Sequence, residues 1–206
     1  MTSNKLLVLF AQAVSLLFSP FYLPTFAFLA LLFFSYLRLM PWSFRLTVLL
    51  VVYLFTVVLP RLCIFLYRKI NGWTRHQMGL RERRFVPYII SILSYGLLLY
   101  MMDLYRMPRF TLGVIVCALS VQVVCAVTNI ALKVSTHAAA SGATIGLLLA
   151  FSLIFHFDPT LWLCLCTLLC GLVCTARLIL RQHTLADLLA GTIIGILCGF
   201  FSITLT

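Results

Sequence analysis

The 206 residues are 64% hydrophobic and 9% charged, against roughly 25% charged in soluble domains, and mean hydropathy is +1.15. A water-soluble domain is excluded. Fifteen Lys and Arg stand against four acids, Glu82, Asp103, Asp158 and Asp187, giving a formal net charge of +11. So few and such scattered carboxylates argue against a two-metal phosphoryl site, and cations confined to short loops argue against nucleic-acid binding.

In chain order, Lys5 precedes an apolar stretch that Pro20 and Pro24 interrupt, with no small-residue cleavage site after it. Residues 5–18 therefore read as a short membrane-embedded or interfacial helix rather than a cleaved signal. Apolar runs follow at Phe21–Leu37, Phe44–Leu66, Phe85–Tyr105, Phe110–Leu132, Ala138–Phe155, Thr160–Arg177 and Thr184–Thr206, with Met40-Pro41, Met107-Pro108 and Asp158-Pro159 as punctuation. About 20 residues of helix cross a bilayer, so the chain has room for six or seven crossings. The runs are too long for barrel strands and lack period-2 alternation. The expected fold is an all-α, polytopic transmembrane helical bundle, because in lipid each helix satisfies its own backbone.

Within these runs several features read as packing. Cys166, Cys170 and Cys174 recur every four residues on one helix face and behave as small buried hydrophobes. Gly191, Gly195 and Gly199 form a ladder that lets helices approach closely, and Gly142 and Gly146 read the same way. His156 and Asp158 fit a turn.

Alternating the crossings sorts the connections. If the segment after His183 starts at one membrane face, the connections 67–86, 132–137 and 177–183 all lie on that face. They carry His76, His137 and His183. With Arg61 they also carry most of the cations; the other face holds only Arg38, Arg45, Arg106 and Arg109 among its loops, with His156 and Asp158. One face is polar.

Two constellations on that face could carry chemistry. In Arg177-Leu-Ile-Leu-Arg-Gln-His183-Thr-Leu-Ala-Asp187, the His and Asp are four apart at a helix start and share a face. A carboxylate beside an imidazole fixes its tautomer and leaves the other nitrogen as base or nucleophile. A carboxylate at the mouth of a span is costly and marks function; the plainer reading is a helix-start carboxylate that favours the dipole. In Lys133-Val-Ser135-Thr-His137, alternation in an extended turn would point ammonium, hydroxyl and imidazole one way, toward an anion at a helix start. The plainer reading there is Ser135 as a cap and Lys133 as a snorkelling side chain.

Arg177-x5-His183-x3-Asp187 resembles the third signature of the type 2 phosphatidic acid phosphatase family, relatives of the vanadium haloperoxidases. Ser135-Thr136-His137 resembles its second signature, Ser-Gly-His, with Thr136 in place of the glycine; Ala176 stands where a serine commonly precedes the arginine. The resemblance implies a six-helix phosphatase core over residues 44–206 preceded by N-terminal membrane helices in 1–43. It implies His183 as the nucleophile forming a phosphohistidine, Asp187 orienting it, and His137 as the acid for the departing oxygen. Arg177, Lys133 and Ser135 would hold the phosphate oxygens. The first signature is absent in its usual form, and Arg81, Arg83 or Arg84 could supply its arginine. No metal and no other cofactor is implied. The implied partner is a phosphorylated lipid in the surrounding membrane lipids: phosphatidate, phosphatidylglycerophosphate, a phosphatidylinositol phosphate or undecaprenyl diphosphate. The implied host is bacterial and the location its inner membrane. The competing class is a membrane transporter or assembly protein with an intramembrane His/Arg/Asp cluster, which would spread its polar groups through the bilayer depth.

Overall fold

The computed structural model describes residues 2–72 and 85–204, and all regular structure within them is helical. The helices are α1 (Thr2–Leu17), α2 (Leu23–Phe34), α3 (Trp42–Ile70), α4 (Phe85–Leu104), α5 (Arg109–Ala131), α6 (Thr136–Phe155), α7 (Thr160–Ile179) and α8 (Leu185–Thr204). Among the described residues six, α3 to α8, are long and apolar enough to cross a membrane. Their outward positions, such as Leu93, Ile130, Leu168 and Ile193, are large exposed hydrophobes. Such a belt needs lipid around it. The chain is a multi-pass integral membrane protein.

The run Phe21–Leu37 does not form one crossing. Pro24 sits in the first turn of α2, where a missing N–H costs nothing. At the other end the Ser35 hydroxyl donates to the Leu31 carbonyl and accepts from the Leu37 N–H, diverting the chain into a 3-10 turn, Tyr36–Leu39. The 12 residues of α2 span about 18 Å at 1.5 Å per residue, well short of a bilayer's apolar core. α2 is therefore too short to cross.

Pro60 leaves a mark on α3. Without an N–H it cannot continue the ladder, and residues Leu54–Val58 widen into a π turn. In that register the Phe55 carbonyl would face Pro60. It is satisfied instead by the Ser94 hydroxyl of α4, at 2.6 Å. A polar residue in the span thus repairs the backbone, as lipid requires.

Aromatic contacts gather one set of helix ends: Phe34 with Trp162 at 5.3 Å, Tyr36 with Phe110 at 5.3 Å, and Phe110 with Phe155 at 5.6 Å. The opposite end joins α6, α7 and α8. There the N–H of Ser135 donates to the Asp187 carbonyl at 3.3 Å, and the Lys133 ammonium donates to the Gln182 carbonyl at 2.8 Å. The connections 132–135 and 180–184 therefore share one end of the bundle, as the alternation of spans predicts. Residues 73–84 of the third connection lie outside the described residues.

Glycine sets the closest helix pair. A Cβ on Gly191 would stand 2.7 Å from the Ser135 carbonyl oxygen, one on Gly195 would meet the Ala139 carbonyl, and one on Gly199 the Ala143 carbonyl. From the other side, Gly142 and Gly146 abut the backbones of Thr192 and Ile196. The backbones of α6 and α8 lie directly against each other.

Candidate active site

His183 lies in the turn joining α7 to α8. α7 closes with the Arg181 N–H donating to the Leu178 carbonyl at 2.9 Å and the Gln182 N–H to the Arg177 carbonyl at 3.2 Å. Arg181 carries φ of 51°, in the left-handed region where glycine usually ends a helix. A side chain there costs about 1–2 kcal/mol, so the turn that presents His183 stores strain.

α8 then starts with a reciprocal cap. The Asp187 N–H donates to the Thr184 hydroxyl at 3.3 Å and the Thr184 N–H to Asp187 Oδ2 at 3.1 Å. This is a capping box with Asp in the acidic position. The same Oδ2 lies 3.3 Å from His183 Nδ1. An ionised carboxylate only accepts, so Nδ1 carries the proton and Nε2 is the basic nitrogen of the ring. The His183 side chain is 2% exposed and that of Asp187 16%, so the imidazole is buried while the carboxylate reaches the surface. The helix-start role and the His-orienting role of Asp187 coexist on one oxygen.

Across the seam stands the first turn of α6. Ser135 caps it in extended conformation, its fully buried hydroxyl accepting from the Ala138 N–H at 3.4 Å. His137, half-buried, occupies the second helical position. Asp187 and Gly191 lie one turn apart on α8, and Gly191 presses on Ser135, Ala138 and Ala139. The Ser135 N–H also donates to the Asp187 carbonyl, so the start of α8, just after His183, meets the turn carrying His137. Two helix N-termini, each with a positive dipole end, stand side by side there.

Two cations belong to the same end of the bundle. Lys133 is exposed and bonded to the carbonyl preceding His183. Arg177, half-buried in the last turn of α7, donates from Nη1 to the Ser15 hydroxyl of α1 at 2.9 Å. Of the sequence-derived site, the structure brings His183, Asp187, His137, Ser135, Lys133 and Arg177 to one end of the bundle. Arg81, Arg83 and Arg84 lie outside the described residues.

One detail of the sequence reading changes. The helix begins at Thr136, so the alternation of Lys133 and Ser135 stops before His137. The three side chains differ in environment: exposed, fully buried and half-buried. Ser15 and Thr184 were missed. Thr184-x-x-Asp187 is legible as a capping box, whereas Ser15 is 162 positions from its partner and carries no local signal.

A basic imidazole nitrogen oriented by a carboxylate, a second imidazole, two cations and paired helix N-termini suit attack on an anionic, tetrahedral group. Comparison with known families bears on the class. Residues 128–206 match the family model of the PAP2 superfamily. The match spans both constellations, Lys133–His137 and Arg177–Asp187, and supports a type 2 phosphatidic acid phosphatase-like family. That match points to a phosphatase acting on phosphate esters, here in a chain with six helices long and apolar enough to cross a membrane. No curated protein and no solved structure matches the chain.

Proposed function

We propose that the chain hydrolyses a phosphate monoester or diphosphate of a membrane lipid through a phosphohistidine on His183, without a metal. The observation that carries this is the His183–Asp187 pair, 3.3 Å apart, against the helix start that bears His137. In the proposed reaction His183 Nε2 attacks phosphorus while Asp187 holds the Nδ1 proton and stabilises the imidazolium. The bond from phosphorus to the leaving oxygen breaks, the ester oxygen of a monoester or the bridging phosphate oxygen of a diphosphate, and His137 gives that oxygen its proton. His137 then takes a proton from water as the water attacks the phosphohistidine, freeing inorganic phosphate and restoring both histidines. Arg177 and Lys133, with the Ser135 hydroxyl as a donor, hold the non-bridging oxygens; phosphoryl transfer asks for positioning and positive charge above all. By the resemblance, Arg81 or Arg84, outside the described residues, would supply the arginine of the missing first signature.

The proposed substrates are phosphatidate, phosphatidylglycerophosphate, phosphatidylinositol phosphate or undecaprenyl diphosphate, which share a phosphate at the bilayer boundary and differ in what it carries. We take residues 44–206 as the phosphatase core and 1–43 as N-terminal membrane helices, in a bacterial inner membrane on the strength of the resemblance. The test is phosphate release by detergent-purified protein in EDTA. Wild type is expected to release phosphate from at least one of these lipids, unaffected by EDTA, and His183→Ala to fall by about a thousandfold or more. Release that survives in His183→Ala, or that EDTA abolishes, would refute the proposal.

A further inference from the structure

The role of the N-terminal helices is open, and the contacts of Arg177 and Arg61 give them one. α1 lies along α7 through Ala11 and Val14 against Val173 and Ala176, all buried. Ala11 and Ala176 are small, so the backbones approach closely, and Ser15, four residues after Ala11, presents its short side chain on the same face. Ser15 is itself buried, and its hydroxyl accepts from Arg177 Nη1 at 2.9 Å. The next segment handles a second cation in the same manner. The Tyr22 hydroxyl accepts from Arg61 Nη1 at 2.6 Å, with the guanidinium 4.3 Å from the Tyr22 ring centroid. The hairpin of α1 and α2 thus holds one arginine from α7 and one from α3.

An arginine near a membrane boundary otherwise snorkels toward water through its flexible stem. A buried acceptor at a fixed place withholds that freedom. The guanidinium is a planar fork of five N–H donors, so the bond from Nη1 to Ser15 constrains the orientation of the whole fork.

We infer that Ser15 is a positioning residue of the active site: it holds the Arg177 guanidinium in the pose that receives the substrate phosphate, making α1 part of the catalytic unit. The inference rests on the phosphatase reading above. It requires the effect of Ser15 to run through Arg177.

The test uses the full chain in detergent, with whichever of the four proposed lipids the wild type hydrolyses as substrate and orthovanadate as the phosphate mimic. Ser15→Ala is expected to lower kcat/KM about tenfold and to weaken vanadate inhibition by a similar factor, the scale of one lost charge-assisted hydrogen bond. Ser15→Thr, which keeps the hydroxyl, should stay within about twofold of wild type. The double variant Ser15→Ala/Arg177→Ala should be no slower than Arg177→Ala alone, because the two act as one unit. A merely structural serine gives additive losses and unchanged vanadate affinity, and either result overturns the inference. So does a Ser15→Ala protein that matches wild type. Wild type that releases no phosphate would instead bring down the phosphatase reading, and this role with it.

Discussion

Asp187 carries two duties on one carboxylate oxygen, and they can be separated. Its bonds with Thr184 start α8; its contact with His183 Nδ1 sets the tautomer. Thr184→Ala removes one half of the capping box and should cost about 1 kcal/mol of stability, read as a lower thermal midpoint, with turnover close to wild type. Asp187→Asn keeps the cap acceptor when its amide oxygen takes the Oδ2 place, but it removes the negative charge that stabilises the His183 imidazolium. It should lower kcat about a thousandfold or more, as in other His–carboxylate pairs, while the midpoint moves little. Equal losses of stability and activity in both variants would mean that the carboxylate acts only as a cap. At this scale the sequence was informative where partners are close in the chain. His183 and Asp187 are one turn apart, and helical geometry alone brings them together. Ser15 and Arg177 meet only through the packing of α1 on α7, which nothing in either residue's neighbourhood specifies.

At the scale of elements, the glycine ladder is what turns two separate motifs into one site. Ser135, Ala139 and Ala143 present backbone where Gly191, Gly195 and Gly199 present none beyond their own. A Cβ on Gly195 would also meet the Ala143 nitrogen at 2.8 Å, so Gly195→Leu must push α6 and α8 apart. It should lower the thermal midpoint and remove phosphate release together, whereas Gly171→Ala, with nothing within 4 Å of the added Cβ, should change neither. Overpacking of this kind typically costs about 1–3 kcal/mol. Activity retained in Gly195→Leu would show that the two helix starts need not touch. The long spans were legible from composition and the glycine spacing from its period. α2 was not legible as a helix too short to cross. Its length is set by the side-chain bonds of Ser35 at one end and by Pro24 at the other, two local events inside a continuous apolar run. The π turn in α3 likewise follows from Pro60, but its repair by Ser94 is a tertiary fact.

For the whole molecule, alternating six spans puts polar groups at one end and an aromatic cluster at the other. Lys133, Gln182, Ser135 and Asp187 tie the polar end, and Phe34, Trp162, Tyr36 and Phe110 tie the far one. Counting crossings was enough to bring the two constellations to one end, since a helix that spans must emerge opposite its start. The contacts made by the extended stretch before Thr136 were beyond counting, because they depend on where the helix begins. Groups clustered at one boundary fit chemistry on a lipid phosphate rather than a path through the bilayer depth. The central claim is that His183 itself becomes phosphorylated. Rapid mixing of the purified chain with phosphatidate, an alkaline quench and mass spectrometry of the peptide bearing residues 178–187 reads it directly. The account predicts one phosphoryl group on His183 in wild type and none in His183→Ala; turnover with His183 unmodified, or a phosphoryl group on another residue, would contradict it.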